Sequence, residues 1–167
     1  MNIAPKSLIV NEKPEDFELV EQLAEEAFGP GRFTRTAFRL REGIPHEPDL
    51  SFVTWRAGKP IASVKLTKIW IGDQVCLLLG PLVVSVANKN SGYGGELMMT
   101  AVNAAREAGY PAIILVGDFP YYQRFGFQVV KAGTITMPGP VDPARLLICP
   151  LQDSALEAIK GTAKPYC

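Results

Sequence analysis

The sequence predicts an α/β domain with a mixed, mostly antiparallel central sheet flanked by helices, and three observations carry that prediction. Between Leu50 and Val84, three apolar strand-like runs are separated by short turns at Ala57-Gly58-Lys59 and Gly72-Asp73, which makes an antiparallel meander. From Tyr93 to Ala108, Leu97, Met98, Ala101, Val102 and Ala105 fall on one helical stripe. Straight after it, Ala112 to Val116 is an apolar run rich in β-branched residues, suited to a buried strand. A helix lies between this strand and the one before it, so the two run parallel through a right-handed crossover.

In chain order, the first element is a helix from Pro14 to Phe28. Pro14 suits its first turn, and Glu15 and Asp16 favour its positive end. Phe17, Val20, Ala24 and Phe28 form its apolar stripe, and Gly29-Pro30-Gly31 stops it. A short second helix follows, capped by Thr34 and ending near Gly43. Ile44 to Pro48 reads as a loop. Strands are expected over Leu50–Arg56, Ile61–Trp70 and Val75–Val84, with Trp55 and Trp70 in the core. Gly80-Pro81 interrupts the third strand; proline gives the ladder no amide, so the pair marks a bulge, an edge or a bend. Gly109 closes the long helix. The tail adds a strand from Phe127 to about Met137, another from Arg145 to Leu151, and a helical turn over Asp153–Ile159.

A chain of 167 residues argues for one domain, residues 1–167, with a sizeable core. Hydrophobic residues at 47% and charged residues at 20% fit a globular protein. Seventeen basic residues balance seventeen acidic ones, so no global basic footprint points to nucleic acid. No signal peptide is read at the N-terminus, and the longest apolar run, Val75–Val84, is far short of the ~20 residues that span a bilayer. Cys76, Cys149 and Cys167 form no CxxC pair, which argues against a disulfide framework or a zinc site. No membrane partner and no metal are expected, and the expected compartment is the cytoplasm.

The chemistry concentrates between Leu79 and Phe127. Gly92, Gly94 and Gly95 follow a strand and open a helix, where unpaired amides and the helix dipole attract an anion. Lys89 adds a charge beside them. A glycine turn that merely starts a helix has the same appearance. Two other phosphate motifs fit worse: a Rossmann fingerprint needs glycine where Leu97 stands, and a P-loop needs lysine where Glu96 stands. Tyr121 and Tyr122 follow the parallel strand, and on residue chemistry alone Tyr122 is as easily a half-buried packing aromatic.

Read together, these segments resemble the GNAT superfamily of acyl-CoA-dependent N-acetyltransferases, most nearly a bacterial branch with two signatures. One is Leu-Gly-Pro-Leu, here Leu79 to Leu82; the other is Gly-Asp-x-x-Tyr-Tyr-x-x-Phe-Gly-Phe, here Gly117 to Phe127. The family's pyrophosphate loop matches Lys89-Asn90-Ser91-Gly92-Tyr93-Gly94, with lysine for the usual Arg or Gln and Ser91 for a frequent second basic residue. The resemblance implies two splayed parallel strands that form an acyl-CoA cleft. It implies acetyl-CoA as co-substrate, with Leu82, Val83 and Val84 presenting backbone to the pantetheine arm. Lys89, Asn90, Ser91, Gly92, Tyr93, Gly94 and Gly95 hold the pyrophosphate in that reading, and Tyr121 contacts the cofactor. Tyr122 is then the general acid, and the acceptor is a small-molecule, peptide or protein amine; a homodimer is allowed.

Asp118 either orients a tyrosine, relays a proton through water, or simply starts the turn. A phenol near pKa 10 is a weak acid toward a thiolate of pKa about 8.5, so the site must lower the tyrosine's pKa or use it as a hydrogen-bond donor. The strand Val75–Val84 carries no carboxylate, so no base is named on it. Glu26, His46, Glu47 and Asp49 come from regions that line the substrate side in similar proteins. His46 is the only histidine, and it reads as a surface loop residue. Arg32, Arg35, Arg39 and Arg41 form a solvated basic face, or a surface for an acidic acceptor or a 3′-phosphate. The alternative to a transferase is a module of the same fold that binds an acyl-CoA or acyl carrier without transfer.

Overall fold

The computed structural model describes residues 7–29 and 35–167. Its strands are β1 (Leu8–Asn11), β2 (Phe52–Arg56), β3 (Lys59–Ile71), β4 (Gln74–Val84), β5 (Ala112–Val116), β6 (Gln128–Val129), β7 (Ile135–Thr136), β8 (Leu146–Pro150) and β9 (Gly161–Pro165). The helices are α1 (Phe17–Phe28), α2 (Thr36–Arg41), α3 (Tyr93–Glu107), α4 (Phe119–Tyr122) and α5 (Ala155–Ala158). The sheet runs β1-β2-β3-β4-β5-β8-β6, and β9 joins the far end of β3. Neighbours from β1 to β4 are antiparallel, as the short turns require, and β4 and β5 are parallel across α3.

Side-chain alternation fixes the two faces. Leu77 and Leu79 pack toward α3, against Leu97, Met98, Ala101 and Val102, while Cys76 and Leu78 pack on the opposite face with Leu40, Ile69, Ile71 and Ile114. The Gly80-Pro81 bulge then shifts the register: Leu79 pairs with Leu66 but Leu82 pairs with Val64. The extra residue flips the parity of the strand. Beyond it, Leu82 and Val84 pack toward α3, and Val83 turns to the other face to meet Leu23 and Ala24 of α1.

Several expectations are corrected. Strands β1 and β9 were not read in the sequence. The strand expected from Phe127 to Met137 is two short pieces, β6 and β7, because Ala132-Gly133 turns the chain between them; Gly133 has φ 83°. Trp55 and Trp70 are half-buried rather than core, since each lies at an end of its strand; Trp70 stacks 5.4 Å from Tyr166. Phe17 is 52% exposed, and Leu23 takes its place in the buried stripe of α1. Thr34, Pro30, Gly31 and Arg32 lie outside the described residues; α2 begins after Arg35, which makes no side-chain cap. Among the described residues no helix is long and apolar enough to cross a membrane.

Candidate active site

The parallel pair is short. β4 and β5 are registered only at Leu77–Ile113 and Leu78–Ile114. Past these, Leu115 and Val116 stay with β8, and the Gly117 amide donates to the Arg145 carbonyl, while β4 stays with β3. The two strands diverge, and among the described residues β4 from Leu79 to Val84 has no strand on its β5 side. A cleft of about 740 Å³ opens there, bordered by Gly80, Leu82, Leu115, Gly117, Tyr121 and Tyr122.

At one end of the opening is the start of α3. Asn90 and Gly92 both take left-handed backbone conformations, φ 64° and 86°, which turn the chain sharply into the helix. The first helical bond runs from the Glu96 amide to the Gly92 carbonyl. The amides of Tyr93, Gly94 and Gly95 stand ahead of it with no backbone acceptor among the described residues. Lys89, Asn90 and Ser91 are exposed, and Gly94 is buried. A Cβ added at Gly94 would lie 2.9 Å from the Tyr121 hydroxyl and 3.5 Å from Val84 Cγ2, so only glycine fits. Tyr121 therefore reaches the glycine turn that opens α3. Its ring also carries the Arg124 guanidinium at 4.9 Å, a cation at this end that sequence reasoning missed.

Tyr122 stands at the turn after β5. Its amide and that of Tyr121 both donate to the Asp118 carbonyl, at 3.0 and 3.1 Å. The Asp118 carboxylate accepts from Arg145 Nη1 at 2.7 Å on the exposed side of the turn. Gly117 is required by Tyr122: an added Cβ would lie 2.5 Å from the ring's Cε2. Tyr121 meets Tyr122 edge-on at 4.9 Å, and Phe127 backs Tyr122 at 6.0 Å. These contacts account for Gly117, the tyrosine pair and the final Phe127 of the signature. Burial pushes the Tyr122 phenol up to about 12, with Tyr121 and Asp118 adding to the rise and Arg145 opposing it. The site thus raises this pKa, the reverse of what an efficient acid needs, and keeps the hydroxyl protonated. Burial also raises Tyr121, against the pull of Arg124.

A second pocket of about 330 Å³ adjoins the cleft at Arg41 and Pro81, on the α1 and α2 side of the sheet. His46 and Lys65 line it, and behind them lies Glu12, which sequence reasoning missed. Glu12 is 3% exposed, its Oε2 sits 2.8 Å from His46 Nε2, and its Oε1 has no hydrogen-bond partner among the described residues. His46 is accordingly half-buried and held, not a free loop residue. No sequence pattern joins Glu12 to His46; only the pairing of β1 with β2 brings them together. Glu26 and Asp49 are exposed and line neither cavity, and Glu47 pairs with Lys68 at 3.4 Å. Arg35 and Arg41 border the cleft, whereas Arg39 is tied to the Pro138 carbonyl. Among the described residues no cluster of His, Cys, Asp and Glu is placed to hold a metal.

A sheet that opens between two parallel strands, with bare helix amides at one end of the opening, defines the acetyltransferase (GNAT) class. The model of that family matches residues 17–127, and the chain belongs to it. Among its relatives is the uncharacterized N-acetyltransferase YhbS of Escherichia coli (strain K12), 26% identical over 92 residues, 55% of this chain and 52% of that protein. Another, the uncharacterized N-acetyltransferase YjhQ of the same strain, is 26% identical over 113 residues, 65% of this chain and 62% of that protein. The chain thus matches between about half and two thirds of the length of these curated relatives. The crystal structure of Escherichia coli YhbS in complex with CoA shares the fold, with a TM-score of 0.83 at 23% identity over 99% of this chain and 93% of that one. A GNAT family acetyltransferase from Brucella melitensis, in complex with acetyl-CoA, has a TM-score of 0.62 at 26% identity over 90% of this chain and 97% of that one.

Proposed function

We propose that the protein transfers an acetyl group from acetyl-CoA to a primary amine by direct attack in a ternary complex. The observation that carries the reading is the diverging β4–β5 pair, with the free amides of Tyr93 to Gly95 at one end and the protonated Tyr122 hydroxyl along its wall. An extended pantetheine arm fits such an opening, because the stretch Leu82, Val83 and Val84, paired with β3 on one side, offers it strand-like hydrogen bonds from the groups that face the cleft. The loop from Lys89 to Gly95 cradles the pyrophosphate with amides, and Arg124, stacked on Tyr121, adds charge at the same end. Acetyl-CoA in the Brucella melitensis relative's structure supports this choice of donor.

Tyr122 fills the acid role by donating a hydrogen bond to the departing sulfur. Its pKa of about 12 lies far above that of a thiol, so outright proton transfer runs uphill by about three orders of magnitude. Solvent supplies the final proton. Asp118 positions the tyrosine: its carbonyl holds both tyrosine amides, and its carboxylate is engaged by Arg145. The reading is tested by thiol release from acetyl-CoA across an amine panel, alongside CoA affinity by calorimetry. Thiol release that depends on an added amine is expected. Tight CoA binding with no release for any amine would make the protein an acyl-CoA binding module instead.

A further inference from the structure

We propose that His46, oriented by buried Glu12, takes the proton that the acceptor amine must lose. This assignment rests on the transferase reading. The strand β4 carries no carboxylate, so the base must come from elsewhere. The pocket that meets the cleft at Pro81 and Arg41 lies on the α1 and α2 side of the sheet, and His46 lines it.

The chain builds this corner deliberately. The Glu12 amide donates to the Ser51 carbonyl at 3.0 Å, and Asn11 Nδ2 donates to the Pro48 carbonyl at 3.0 Å, which ties the end of β1 to the loop bearing His46. The Glu47 amide donates to the Leu66 carbonyl at 2.8 Å and pins the loop to β3. His46 is thereby fixed with one nitrogen on Glu12. A carboxylate only accepts, so Nε2 carries a hydrogen, and in the neutral ring Nδ1 is then the nitrogen with the lone pair. Nδ1 has no partner among the described residues. The charged surroundings are Glu12 just after β1, Lys65 from β3, Glu21 from α1, and Arg41 and Glu42 at the end of α2. Lys65 Nζ lies 3.9 Å from Glu12 Oε1 and 3.2 Å from Glu21 Oε1, so the buried carboxylate already has a cation beside it. A buried carboxylate behind a histidine holds the ring's tautomer and stabilises the imidazolium once it forms.

In the step itself, an ammonium proton passes to His46 Nδ1, within hydrogen-bond reach or through one water. The freed nitrogen lone pair forms the C–N bond to the thioester carbonyl, and the C–S bond breaks with its electron pair on sulfur. The second nitrogen proton, acidified by the new bond, balances the one the sulfur gains. His46 returns its proton to solvent through the open pocket.

The test uses the full chain with acetyl-CoA and three probes: spermidine, a lysine peptide and a peptide with a free α-amine. On the fastest probe, His46→Gln should lower kcat by about 100-fold, with CoA affinity and acceptor KM changed by less than threefold. The acid limb of the kcat–pH profile should disappear, and the deficit should shrink at high pH, where the amine deprotonates unaided. Imidazole should restore His46→Ala by about tenfold. Glu12→Gln, checked for native circular dichroism, should lower kcat less and displace the acid limb. A His46→Gln enzyme within twofold of wild type at every pH overturns the assignment while leaving the transferase reading intact. No amine-dependent release by the wild type overturns both.

Discussion

At the scale of single residues, two glycines are decided by the tyrosines that touch them. Gly117 gives up its side chain to the Tyr122 ring, and Gly94 gives up its own to the Tyr121 hydroxyl. Gly117→Ala should therefore displace Tyr122, lowering turnover by at least tenfold with CoA affinity nearly retained; steady-state kinetics with calorimetry would show it. Gly94→Ala should do the reverse and weaken CoA binding by about tenfold, about 1.4 kcal/mol. Adding Tyr121→Phe should recover part of that loss, because the hydroxyl is the atom in the way. Under the proposed mechanism, Tyr122→Phe removes one hydrogen bond to a developing thiolate, a contribution of about 1.5–3 kcal/mol, and should cost about 10- to 100-fold in kcat. Because burial keeps Tyr122 protonated to about pH 12, its ionisation should put no alkaline limb on the wild-type rate profile below about pH 11.

At the scale of elements, β4 is the piece on which the others depend. Its parity flip sends Val83 to α1 while Leu82 and Val84 stay with α3. Leu23→Ala should remove the partner of Val83 and destabilise the fold by about 2–4 kcal/mol in urea unfolding. That elements of this kind were legible follows from their physics. The meander, α3 and β5 announce themselves by period, turns and β-branched content, and Gly80-Pro81 marks the bulge because neither residue suits a regular ladder. β1 has only four residues, and β9, though as long as β5, begins with Gly161, ends with Pro165 and has no apolar run; the pairing of both is decided by the free edges of β2 and β3. The site divides the same way. Gly92 to Gly95 and the tyrosine pair each lie within a contiguous motif of their own, so local chemistry and family likeness expose them. Glu12 and His46 come from segments joined only in the folded sheet, and nothing local to either residue names the other.

For the whole molecule, the acid–base behaviour is set by buried neutral groups. Cys76 is fully buried, and burial pushes its thiol up to about 12; Tyr122 is raised similarly, and Cys149 in the same direction. Each holds its proton more tightly when folded than when unfolded. Their contribution to stability is therefore complete below the unfolded pKa values and is lost as pH rises toward the folded ones. From about pH 9, where an unfolded thiol ionises, stability should fall by up to about 1.4 kcal/mol per pH unit for each such group. Thermal melts from pH 7 to 11 would read this as a progressive fall in Tm. A flat profile across that range would show that these thiols and the phenol are less shielded than their burial implies.

The divergence of β4 from β5 also sets a timing for the exchange of backbone hydrogens. At Leu77 and Leu78, β4 lies between two neighbours; beyond them, only β3 remains among the described residues. Successive residues of a strand aim their amides to opposite sides, so from Leu79 onward only alternate amides are held. In deuterium labelling, one strand should thus behave as two. The amides of Leu77 and Leu78 should both exchange slowly, and those from Leu79 onward should alternate slow and fast until the cleft is filled, when the fast amides should slow as well.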